Sequence, residues 1–129
     1  MKIETTILKN LLQNEDYARK VLPFLNDEYF TENSDKIVFN QINNFILKYN
    51  SLPNKEALNI ELGDAKITEE DFKDSVNLIT EISKDVQEFA DLSWLLDSTE
   101  KFCQDKAIYN AVVESISILD NPKSIADKG

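Results

Sequence analysis

Residues 91–120 read DLSWLLDSTEKFCQDKAIYNAVVESISILD, thirty positions without a glycine or a proline. Within them Leu95, Phe102, Tyr109 and Ile116 recur every seven positions. The pattern predicts one continuous helix, roughly 45 Å long at about 1.5 Å per residue. A typical globular helix is about a third of that length. Such a helix outruns the small bundle that a chain of this size builds, so part of its apolar face needs cover elsewhere. Leu92, Leu95, Leu96, Phe102 and Cys103, in its first half, are expected to pack on the bundle. Ile108, Tyr109, Val112, Val113, Ile116 and Leu119 form a wide apolar face toward its end. Covering that face is worth several kcal/mol at about 25 cal/mol per Å²; left in water it is a sticky patch. These six residues are the candidate interface, within or between chains. The simplest cover is a helical hairpin whose second arm lies beyond Gly129.

Outward from that helix, 129 residues make one domain. The expected parts are a helical bundle over 1–90, the long helix over 91–120, and the start of a truncated second arm over 121–129. A chain this long buries about two-thirds of its unfolded surface, enough for a proper core. Only two Gly and three Pro occur, which disfavours sandwiches, barrels and Gly-rich nucleotide loops and points to an all-α fold.

The formal net charge is −10, from 24 acidic and 14 basic side chains. Phosphate contact needs clustered Lys and Arg, so direct nucleic-acid binding is not expected. The acidic balance reads either as a solvated surface or as a face that docks a basic partner or mimics DNA. The single cysteine, Cys103, excludes an internal disulfide; on the apolar side of the long helix it reads as a buried structural thiol. No apolar run approaches the roughly 20 residues of a membrane span. Met1-Lys2-Ile3-Glu4-Thr5 lacks the features of a signal peptide, and a reducing cytosol is the consistent compartment.

Ile3, Ile7, Leu8, Leu11 and Leu12 share one stripe of a first helix. Asn14 is placed to cap a short second helix through Tyr17, Val21 and Leu22, interrupted by Pro23. Residues 25–33 read as a loop whose aromatics, Tyr29 and Phe30, plug into the core. Val38, Ile42, Phe45, Ile46 and Tyr49 mark a third helix from about Ser34, stopped by Asn50-Ser51-Leu52-Pro53. Asn54 caps a helix with Ala57, Leu58 and Leu62, ended by Gly63-Asp64. Thr68-Glu69-Glu70-Asp71 has the form of a capping box and opens a helix with Phe72, Val76, Ile79 and Ile82 on one side. Asp91 caps the long helix and Asn121-Pro122 ends it. Ser124-Ile125-Ala126 looks like the first turn of another. Trp94 reads as a core anchor, with a partner-binding hot spot as its other reading.

Tests for chemistry come out negative. With no His and one Cys, Ser-His-Asp triads and zinc sites are absent. Gly63 and Gly129 are the only glycines, so neither G-x-x-x-x-G-K-[ST] nor G-x-G-x-x-G exists. Carboxylate pairs (Asp27 with Glu28, Glu56 with Glu61, Glu69 to Asp71) are what chance gives among 24 acids. A small hydrolase using them has little support. No catalytic, metal or cofactor residue is assigned.

Several short stretches fall in a familiar order. Ile7, Leu8, Leu11 and Leu12 are followed by Asp27-Glu28-Tyr29-Phe30. Next comes Ser51-Leu52-Pro53-Asn54-Lys55-Glu56-Ala57-Leu58-Asn59-Ile60-Glu61-Leu62. Ser93-Trp94-Leu95-Leu96 then runs into Thr99-Glu100-Lys101-Phe102 and Lys106-Ala107-Ile108-Tyr109-Asn110-Ala111. From about Ile3 to Ile118 the chain resembles the N-terminal domain of DnaB-family replicative helicases, in particular the primase-associated branch of T-even-type phages. The resemblance implies a helical bundle followed by a helical hairpin. Such domains pair through their hairpins into a collar on a hexameric ring and engage primase and helicase loader. It also implies that ATP and Mg²⁺ belong to a motor domain outside these residues, and that the protein works in the cytoplasm of an infected bacterium. The competing reading is a stand-alone acidic helical adaptor or DNA-mimic inhibitor.

Overall fold

A computed structural model describes residues 2–84 and 91–120. Among them are six α-helices and two short 3-10 turns, with no strand: α1 (Ile3–Gln13), α2 (Glu15–Val21), α3 (Asn33–Tyr49), α4 (Lys55–Gly63), α5 (Glu69–Ile82) and α6 (Leu92–Asp120). The all-α expectation is borne out. The expected stop at Asn121-Pro122, the turn at Ser124-Ile125-Ala126 and the second arm lie outside the described residues.

Short polar side chains set the helix starts. Tyr17 N–H donates to Asn14 Oδ1 at 3.1 Å, Ala57 N–H to Asn54 Oδ1 at 2.7 Å, Asp71 N–H to Thr68 Oγ1 at 3.1 Å and Trp94 N–H to Asp91 Oδ1 at 3.0 Å. Each satisfies one of the four N–H groups that a helix start leaves without an intrahelical partner. At the other end of α3, Asn50 takes the left-handed conformation (φ 53°), which an Asn tolerates better than most side chains. Gly63 has no positive φ; α4 ends with Asp64 N–H donating to the Glu61 carbonyl at 3.2 Å.

Ile7, Leu8, Leu11 and Leu12 of α1 face Val38 and Ile42 of α3, Leu58 and Leu62 of α4 and Ile79 and Ile82 of α5 in one core. Three expectations shift. Phe39 is buried on α3, whereas Tyr49 is exposed, its ring tilted against that of Phe45 (centroids 4.7 Å apart). On α5 Ser75 is buried and Phe72 exposed. The 25–33 loop carries an unexpected 3-10 turn, Asp27–Tyr29, opened by Asn26. Phe30 plugs the core as expected, and Tyr29 is only partly buried against it.

Polar groups tie the helices together. Gln13 Nε2 donates to the carbonyls of Ile82 (2.7 Å) and Lys84 (2.9 Å), satisfying the C-terminal end of α5 from α1. The buried Thr99 hydroxyl donates to the Leu95 carbonyl at 2.7 Å. Tyr17 O–H therefore donates to Thr99 Oγ1 at 2.6 Å, joining α2 to α6. Burial pushes the Tyr17 phenol up to about 12, although the Thr99 bond pulls the other way.

Asp35, in the first turn of α3, is 6 % exposed. Burial raises its pKa above the usual carboxylate range; Glu4 adds to the rise, Lys2 opposes it and Glu32 adds again. The folded chain thus holds this proton more tightly than the unfolded chain, so its contribution to stability falls as pH rises between the two values. Asp35→Asn is expected to stabilise the fold at about pH 7, with the gain shrinking toward zero at about pH 4, near the unfolded carboxylate range. Urea titrations at both pH values check this; a loss at the higher pH contradicts it.

Candidate functional site

The long helix leaves the bundle at one identifiable place. Leu95, Thr99, Phe102 and Cys103 are buried, with Leu92 and Leu96 packed beside them. The last anchors are Lys106 Nζ, which donates to Thr31 Oγ1 at 3.3 Å, and Asn110 Nδ2, which donates to the Glu28 carbonyl at 3.1 Å. From Ala111 to Leu119 every residue is exposed.

All six residues of the expected interface fall on this free half or at its root. Ile108, Tyr109, Val112, Val113, Ile116 and Leu119 are between 45 % and 72 % exposed. At about 100° per residue they cover a stripe about 140° wide. Its centre is turned by about 100° from the side that Leu95, Thr99, Phe102 and Cys103 bury, on the same spacing. The bundle therefore cannot cover the stripe by a small tilt of the helix. Lys106 Nζ lies 5.8 Å from the Tyr109 ring centroid, a cation–π contact at the root of the arm.

The free half also gains little from its own sequence: Val112, Val113, Ile116 and Ile118 are β-branched, which lowers helix propensity. A covering partner gives this half what its own sequence lacks.

Trp94 does not anchor the core: it is 53 % exposed, on the outer side of the first turn of α6. Cys103 is buried as expected, and its burial pushes the thiol up to about 11. It borders a shallow groove of about 470 Å³ with Phe24, Tyr29 and Ala107. Because the thiolate is the reactive form, alkylation by iodoacetamide at about pH 8 should be at least about a hundredfold slower than for an unburied cysteine. Mass spectrometry over time checks this, and labelling at the free-cysteine rate would contradict it.

The carboxylate pairs serve separate local roles. Asp27 Oδ2 accepts from Asn40 Nδ2 at 3.1 Å, and Glu69, Glu70 and Asp71 lie in the first turn of α5, where negative charge is favourable. Among the described residues no group of three or more His, Cys, Asp or Glu is placed to hold a metal ion. No described helix is long and apolar enough to cross a membrane.

No protein-family model matches the chain. Over 122 residues, 95 % of its length, it is 32 % identical to a DnaB-like replicative helicase of Enterobacteria phage T4. The chain spans about a quarter (25 %) of that relative's length. The resemblance drawn from the ordered short stretches is borne out.

Proposed function

From a chain related along nearly its whole length to a DnaB-like replicative helicase, we propose that it is the N-terminal assembly and partner-docking domain of such an enzyme. The observation that carries the reading is the free half of α6, a wide apolar stripe that the bundle is turned away from. In this reading α6 is the first arm of a helical hairpin. The second arm and a neighbouring subunit cover Ile108, Tyr109, Val112, Val113, Ile116 and Leu119, building a dimer-based collar on a hexamer. Primase and helicase loader are the protein partners of the collar. ATP, Mg²⁺ and DNA unwinding belong to a motor outside these residues, because the two glycines here cannot build a phosphate loop. The host cytoplasm is where the protein would work.

The test is sedimentation equilibrium combined with hydrogen exchange. The chain is expected to self-associate with rising concentration, and amides 111–119 should exchange fast at low concentration and slow in the assembled state. A chain that stays monomeric at high concentration, with fast exchange throughout 111–119, overturns self-assembly through this face. Primase and loader from the same genome, titrated onto the chain, test the docking half of the reading.

The net charge of −10 supports a second reading, an acidic adaptor or DNA mimic. It predicts capture of basic DNA-binding proteins that fades steeply with salt. Association through the α6 stripe, being apolar, should persist at high salt.

A further inference from the structure

We propose that the cavity between the start of α1, the first turn of α3 and the outer side of α5 is a binding pocket for an arginine side chain presented by a partner protein. The cavity holds about 520 Å³ and no residue of α6 lines it. The inference therefore stands apart from the collar reading and from the α6 stripe.

Asp35 carries the inference. Its side chain lines the cavity although the residue is 6 % exposed. Among the described residues nothing donates a hydrogen bond to its carboxylate, and the two ion pairs there, Lys2 with Glu32 and Arg19 with Glu15, do not include it. Its oxygens are not among the fully buried atoms that lack a partner, so water in the cavity meets them, and a donor seated there takes that water's place. Its place in the first turn of α3 favours the charge through the helix dipole, but supplies no hydrogen bond to the side chain.

The surroundings select the ligand. Around Asp35 stand Glu32, Asp74 and Glu81, against the single ammonium of Lys2, and Asn77 adds an amide. Lys2 Nζ is already 3.9 Å from Glu32 Oε1. The cavity is thus left with unmatched negative charge and strongly favours a cation. A bare metal ion does not fit, because no three of these carboxylates converge on one point. A guanidinium does: it is planar, permanently charged and spreads five donors over a fork, so it can meet carboxylates several ångströms apart at once. An ammonium is a compact point charge and reaches fewer of them.

The test is a titration of the ¹⁵N-labelled chain with a blocked Gly-Arg-Gly tripeptide, followed by amide chemical shifts. Saturable shifts confined to residues 2–5, 33–36 and 74–81 are expected, and the citrulline counterpart, which lacks the charge, should give none. Asp35→Asn should weaken binding by about tenfold or more, the loss of a hydrogen bond to a charged group. Asp74→Asn, on the exposed side of α5, should weaken it less, and confirms the site without touching the buried position. Weak, non-saturating shifts spread over the acidic surface overturn the proposal. So does equal binding by Asp35→Asn. Magnesium chloride producing the same local, saturating shifts would replace arginine by a metal ion as the ligand.

Discussion

Replacing both Val112 and Ile116 with Asp is expected to weaken self-association by about a hundredfold or more, as charge placed at the centre of an apolar contact typically does. Both positions are about half exposed in the isolated chain, at 51 % and 52 %. Both lie near the middle of the stripe. The bundle should not register the change: thermal unfolding should stay within about 3 °C of the parent, since neither side chain touches the core. A mild cost remains, because negative charge in the last turns of a helix opposes its dipole by a few tenths of a kcal/mol. Sedimentation and differential scanning calorimetry on the same samples separate the two effects. Unchanged assembly places the interface elsewhere. Lost assembly with lost folding means the stripe is structural.

The heptad line explains why the sequence could point to this face and yet not resolve it. A straight helix drifts by about 20° per heptad relative to a strict seven-residue repeat. Leu95 and Phe102, early on the line, are buried against the bundle, while Tyr109 and Ile116, later on it, are exposed. One seam in the sequence thus serves two neighbours in succession, first the bundle and then whatever covers the arm. The periodicity predicts the helix and its length. Where the first neighbour ends is set by Asn110 and the 3-10 turn at Asp27–Tyr29, a tertiary contact that no local spacing encodes.

The same limit accounts for the other differences. The caps at Asn14, Asn54, Thr68 and Asp91 were legible because a short polar side chain at a helix start acts on backbone within three residues of itself. Buried apolar residues are legible where a helix keeps them on one narrow stripe, as Ile7, Leu8, Leu11 and Leu12 do on α1. Helix α3 packs against α1, α4 and α5, so its buried face widens to include Phe39, and Tyr49 projects past the end of the bundle. Polar residues at buried positions are the blind spot of hydrophobic patterning. Ser75, Thr99 and Asp35 all sit inside. Of these, Thr99 is explained by its bond to Tyr17, whereas Asp35 is the residue from which the arginine pocket is inferred. The six-residue stripe is legible for a different reason: its apolar spacing lies on a helix too long for the bundle to cover.

The second large effect is expected at Phe30, and it sets the attachment of the long helix against the residue that composition alone favours for that role. Phe30 is 1 % exposed, and its ring lies 5.2 Å from that of Phe39 on α3 and 5.8 Å from that of Phe102 on α6. It is a three-way joint: the loop after α2, the middle of α3 and the long helix meet on one ring. Phe30→Ala removes the ring and leaves a cavity between elements that cannot all close on it, which costs about 3–5 kcal/mol. Both ring pairs are tilted rather than face to face, and the substitution removes both aromatic contacts at once. The midpoint should fall by on the order of 10–20 °C. Because Phe102 loses its partner, amides in the first half of α6 should lose exchange protection along with the core of α3. Trp94→Ala is the counterpart. The largest side chain in the protein stands half exposed outside the core, so its loss should change stability by no more than about 0.5 kcal/mol. Denaturant unfolding of the two variants decides between the joint and the anchor: a Trp94→Ala change as costly as Phe30→Ala would mean that α6 is held at its first turn and that the aromatic joint is incidental.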